Sequence, residues 1–289
     1  MKAFPNKKKL QDFLEKKVLE YNDPSFIATD PVSVPHRFSK KQDIEIAGLF
    51  SSIFAWGNRT TIIQKSNELM LAMDDDPFNF IMNHHTTDLK RFLKFKHRTF
   101  NATDLLYFIH FLQTHYRISD TLETAFLTEP LSEERIKKPS AVIIHTEKIK
   151  KKKSDENISS ENEFIKKALS VFYNRFFSLE NAPYRTQKHI ATPEKNSACK
   201  RLNMYLRWMV RKDNRGVDFG IWKKISAADL ICPVDLHVSR VARGFGLINR
   251  KQTDWETAME LTWALRDMDK KDPVKYDFAL FGLGVMEKY

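Results

Sequence analysis

Three stretches in the C-terminal half combine residue types that can do chemistry. In SACKRLNMYLRWMVR (197–211), Ser197 is suited to cap a helix and Lys200 falls in its first turn. The partial positive charge at a helix start disfavours an ammonium ion, and a lysine relieved of its proton is an amine nucleophile. Helical spacing puts Leu202, Tyr205, Leu206 and Met209 on one face and Lys200, Met204, Arg207 and Arg211 on another. A charge run of this kind is also what a solvated helix face carries.

The second stretch, ICPVDLHVSRVARGFGL (231–247), has Pro233 for a helical first turn and Gly244 or Gly246 for its end. Val234, Val238, Val241 and Phe245 make an apolar stripe, and Asp235 lies at the helix start beside it. An aspartate there is most often a cap or a partner of the helix dipole. His237, Arg240 and Arg243 lie towards a polar face suited to phosphate; His237 alone signals neither a metal nor a general base. In the third stretch, DPVKYDFALFGLG (272–284), Asp277 and Phe281 share a face at i, i+4. Its plainer use is to dock Phe278 and Phe281 into a core.

Such side chains need rigid elements behind them, and the sequence supplies helices. Six of the eight glycines fall between Gly216 and Gly284, so the first 200 residues have few backbone breakers. Apolar periodicity predicts helices over 7–21, from about Asp43 to AWGNR (55–59), over Thr60–Met73, over 102–118 starting at Thr103 or Asp104, and over 163–178. Residues 22–39 read as a proline-rich loop. The polar segment 129–163 reads as a solvated linker or insertion, in which AVIIH (141–145) is a candidate short strand. No repeat of 20–50 residues is present. The expected class is all-α, a single domain of two helical lobes.

Composition narrows function. Two cysteines, Cys199 and Cys232, exclude a disulfide framework and any four-cysteine metal or iron–sulfur site within one chain, and no cofactor or metal is called for. The N-terminus turns charged too soon for a signal peptide, and no run approaches the ~20 apolar residues of a membrane span, so the cytoplasm is the expected compartment. Of the net charge of +11, only +3 belongs to residues 131–160, so the remainder of the chain is itself basic. That favours a polyanionic partner, DNA or RNA among them. Nothing in the sequence fixes the oligomeric state.

PVDLHVSRVARGFGL resembles the PVDTHV-type stretch of the helix-hairpin-helix DNA glycosylases, the superfamily of endonuclease III and the 8-oxoguanine glycosylases. IATPEKNSACKR (190–201) stands where that superfamily opens the second hairpin helix with its lysine. KRLNMYLRWM is similar to the lysine helix of the archaeal 8-oxoguanine branch, with Met204 in place of an aromatic residue, and Asp277 and Phe281 resemble that branch's late base-pocket segment. The whole chain also resembles a bacterial family of conserved proteins with no assigned function, through HRTFN, KRLNMYLRWMVR and DFALFGLG.

The resemblance implies base excision: Lys200 as nucleophile, Asp235 as its carboxylate partner, and a flipped base held by Asp277, Phe281, Met204, Arg207 and Trp56. It further implies a wedge at Asn58 or Arg59 and phosphate contacts from Arg201, Arg207, Arg211, His237, Arg240 and Arg243. The chain departs from the superfamily in lacking the hairpin Gly-x-Gly and in separating Lys200 from Asp235 by 35 residues. An idle nucleic-acid-binding module on the same fold, or a helical protein-interaction protein, would share much of this pattern.

Overall fold

The structure, a computed structural model, describes residues 6–128, 160–287 and 289, with backbone alone for 160–163. Ten α-helices, a two-stranded hairpin and several 3-10 turns make up the described residues, an all-α fold. The expected linker and its AVIIH strand lie outside the described residues, except that 160–163 already belong to a helix.

The N-terminal helices follow the apolar periodicity closely. Helix α1 (Lys7–Tyr21) buries Leu10, Leu14 and Val18 against the last helix of the chain. The proline-rich loop is not irregular: its prolines start three 3-10 turns, two of them capped by Asp23 and Asp30. Helix α2 (Lys41–Phe54) is buried over nearly its whole length, and α3 (Arg59–Ala72) and α4 (Pro77–Asn83) pack against it.

HRTFN holds an unforeseen hairpin, β1 (Lys96–His97) and β2 (Phe100–Asn101), paired antiparallel. Its last residue then starts α5 (Ala102–Tyr116). The cap is Asn101, not Thr103 or Asp104: the Asn101 side chain accepts from Thr103 N at 3.1 Å while Asp104 accepts from Asn101 N at 2.9 Å. Asp104 is fully buried, also accepts from Thr186 Oγ1 at 2.7 Å, and faces His189 at 3.2 Å and Arg185.

Burial alone would raise the Asp104 pKa, but the His189 ring 3.2 Å away and hydrogen bonds from the Asn101 amide and Thr186 outweigh it and hold the carboxyl down at about 2. A depressed carboxyl stabilises the fold above its unfolded pKa, and that stability is lost as pH falls through the folded value. The gap of about two units corresponds to roughly 2–3 kcal/mol at neutral pH. In urea titrations the difference between wild type and Asp104→Asn should therefore shrink as pH falls from about 4 to about 2. A pH-independent difference would assign the effect to packing instead.

The C-terminal part comprises α6 (Ser160–Phe176), α7 (Lys200–Val210), α8 (Leu236–Gly244), α9 (Trp255–Arg266) and α10 (Tyr276–Val285). Helix α7 crosses α2, and α10 packs between α1 and α8. All buried apolar side chains, from Leu10 to Leu283, join one continuous cluster. A polar knot is sunk into it: Glu45 of α2 accepts from Tyr116 Oη, Thr121 Oγ1, Leu122 N and Trp222 Nε1. Four donors satisfy its two oxygens at 0% exposure, while burial still raises its pKa.

Two expected helix starts move. Ser197 does not cap α7; it forms an isolated bridge with Asp254, and the cap position is taken by Cys199 in a left-handed conformation (φ 49°). Pro233 precedes α8 instead of sitting in its first turn, and Asp235 is the cap.

Candidate active site

The left-handed turn at Cys199 makes α7 begin abruptly, with Lys200 as its first residue. The turn is held by Ser197 Oγ accepting from Cys199 N at 3.2 Å and by Asn203 Nδ2 donating to Ala198 O at 3.0 Å. From residue 202 onward every side chain of α7 is buried. The lysine therefore projects from the end of a helix whose body is core.

Asp235 is fixed just as firmly. Its Oδ1 accepts from both His237 N and Val238 N at 2.9 Å, which satisfies two amides at the start of α8. The other oxygen, Oδ2, is left facing Lys200 Nζ at 3.8 Å. Both side chains remain partly accessible, at 28% and 23%.

The pair lines a cleft of about 360 Å³ between the α2–α3 turn and the meeting point of α7, α8 and α10. Met204, Asp277, Phe281, His237 and Arg59 also line it, as does Arg207 from beneath. Two residues with no counterpart in the sequence expectations complete it. Phe26 meets Phe281 edge to face at 6.2 Å, and Asp30 is buried in the floor. Asp30 Oδ1 caps its own turn by accepting from Val32 N at 3.1 Å. Burial raises its pKa against the pull of that bond and of Arg207, Arg59 and Lys200. Asp277 is raised too, to about 6: burial dominates, Arg207 and Lys200 oppose it, and Asp235 adds to it. Asp30-Pro31 is a sequence signal for a turn cap, but no periodicity could announce that this cap faces the same cleft as Lys200.

Several expected contacts lie elsewhere. Arg207 and Arg211, expected at phosphates, are 4% and 2% exposed. Arg207 pairs with Asp277 and with Asp218 (3.3 Å), and its guanidinium lies 4.3 Å from the Phe278 ring centre. Arg211 pairs with Asp213, Asp218 and Asp272. The polar face read from the spacing of α7 is thus a buried ion-pair belt, and it faces carboxylates, not solvent. Arg243 binds the carbonyls of Arg250, Lys251 and Gln252, and Arg240 binds that of Gly284. Neither lines the cleft. His237 does, with a buried Nδ1 that has no hydrogen-bond partner among the described residues. Gly284 of α10 lets His237 approach, since a Cβ there would stand 3.0 Å from the His237 Cβ.

Asn58 caps α3 through Thr61 N at 3.2 Å and is exposed, while Arg59 lies over the Phe281 ring at 5.3 Å. Trp56 is not in the cleft. It lies in an adjoining hollow of about 360 Å³, on the other side of Lys200, together with Ala55, Thr99, Lys188, His189 and Arg201. Arg201 spends donors on Ile53 O (2.7 Å) and Lys188 O (3.4 Å). Among the described residues no group of three His, Cys, Asp or Glu side chains could hold a metal ion, and no helix is long and apolar enough to cross a membrane.

No curated protein and no solved structure matched the chain. A family model described as "protein of unknown function (DUF2400)" matches residues 30–286, which takes in Asp30, Lys200, Asp235, Asp277 and Phe281. The chain therefore belongs to the DUF2400 family.

Proposed function

We propose that the protein excises a base from damaged DNA through a Schiff base on Lys200. The observation that carries this reading is the Lys200–Asp235 pair, 3.8 Å apart, on two helix starts that meet at one aromatic-walled cleft. The helix-hairpin-helix glycosylase likeness of the same two stretches supports it, as does the basic balance of the chain.

In this mechanism an extruded base enters the cleft against the Phe26–Phe281 pair, over Asp30 and Asp277. The unprotonated Lys200 amine bonds to the anomeric carbon of the sugar. The carbon–nitrogen bond to the base breaks, and the base leaves with the electron pair and takes up a proton. Loss of a proton from the lysine nitrogen and opening of the sugar ring then give the imine. Asp235, whose Oδ2 is turned to the lysine by the two amide bonds to Oδ1, stabilises the cationic sugar and assists that deprotonation.

The test is a panel of single- and double-stranded oligonucleotides carrying oxidised, deaminated, alkylated or abasic sites, treated with borohydride. A crosslink mapped to Lys200 supports the reading; salt-dependent binding with no crosslink to any lesion would leave an idle binding module. Asp235→Asn separates cap from catalyst. Asparagine caps helices as well as aspartate does, so the fold and DNA affinity should be retained while turnover drops by about 10²-fold or more. Unchanged turnover would reduce Asp235 to a cap.

A further inference from the structure

The hollow beside Lys200 differs in chemistry from the cleft. The cleft is lined by three carboxyls, Asp30, Asp235 and Asp277, which suit a neutral heterocycle presenting N–H donors. The ionisable side chains of the hollow are Lys188, His189, Lys200 and Arg201, and no carboxylate of the described residues lines it. At its lip Trp56 is 43% exposed, with the Arg98 guanidinium 4.3 Å from the indole ring. This arrangement is built in: Gly57 has φ +114°, and a Cβ there would come within 2.4 Å of Arg98 Nη1. Arg98 and Lys188 are exposed and have no ion pair among the described residues.

An exposed indole and unpaired cations around an opening with room for one nucleotide match the two halves of a nucleotide, a π face and a phosphate. We propose that the hollow binds the nucleotide next to the reacting one on the same strand, its base stacked on Trp56 and its phosphate among Arg98, Lys188 and Arg201. The assignment to the reacting strand rests on the base-excision reading. The binding itself does not, because it needs no lesion and no chemistry. A base can stack on Trp56 only if it is not already stacked in a duplex, so the occupant is a locally single-stranded segment. Lys200, lining both cavities, would then lie beside the sugar that joins base to backbone.

The experiment is fluorescence-anisotropy binding of a labelled, undamaged single-stranded oligonucleotide to the full protein, over a range of salt. Trp56→Ala should weaken binding about ten-fold. Arg98→Ala and Lys188→Ala should each lower the slope of log affinity against log salt by about 0.7. Lys270→Ala, an exposed lysine outside both cavities, controls for net charge. Affinity and slopes that stay at wild-type values in the three variants, or shift no more than in the Lys270 control, would overturn the proposal. Strand binding that responds as described while no lesion is trapped keeps the hollow and removes the chemistry. Trapping at Lys200 with unresponsive strand binding does the reverse.

Discussion

Lys200→Ala is expected to yield no borohydride-stable crosslink and to lose at least about 10³-fold in turnover, with no loss of thermal stability. The first part follows from mechanism, because no other described residue lining the cleft carries an amine side chain. The second follows from position. Lys200 is the first residue of α7, its side chain is outside the hydrophobic core, and alanine has the highest helix propensity. Asp235 keeps both amide partners when the lysine is gone. A crosslink that persists in the variant would move the nucleophile elsewhere, with Lys188 across the hollow as the first position to map. A variant that melts several degrees lower would show the lysine to be a structural ion-pair partner instead.

Arg207→Ala should be the most damaging single change to the fold, by about 3–5 kcal/mol in urea unfolding. The guanidinium sits between two buried carboxylates, Asp218 and Asp277, and over the Phe278 ring. Removing it takes the cation from one buried carboxylate, Asp277, leaves the other, Asp218, to Arg211 alone, and opens a hole beside an aromatic ring. Combining Arg207→Met with Asp277→Asn removes one of those anions together with its partner and fills much of the space. The double variant should therefore be less destabilised than the sum of its single changes. A cost below about 1 kcal/mol for Arg207→Ala would mean that water reaches the belt and screens it. The same substitution also deforms the cleft floor, so loss of turnover in this variant carries no mechanistic weight.

The helices of the fold were legible because their apolar periodicity is strong and the glycines are concentrated late. The hairpin at 96–101 was not, since two-residue strands leave too short a pattern to detect. The site was legible in part for a related reason. Lys200, Asp235 and Asp277 each lie at or near the start of a helix, where sequence signals are sharpest, Phe281 follows Asp277 by one helical turn, and the structure lines one cleft with all four. What lies opposite a face is a different matter. The spacing of Arg207 and Arg211 is the same whether they meet water or carboxylates, and their partners at Asp218, Asp272 and Asp277 come from other segments. Trp56 shows the same limit at short range. The turn was located correctly, but the direction of its indole depends on a glycine at φ +114° and on an arginine from the hairpin.

Both cysteines of the chain stand just before a residue of the proposed chemistry, Cys199 before Lys200 and Cys232 three residues before Asp235. Burial lifts the Cys199 thiol to about 12, against the pull of the Ser197 hydrogen bond, and raises that of Cys232 as well. Sulfur reacts with alkylating agents and peroxides as the thiolate, so in the native state neither side chain offers them one. A protein working beside oxidised or alkylated bases would meet the reagents that made them. Here the softest nucleophiles of the chain are withheld from those reagents, and the amine between them is the group left facing the cleft.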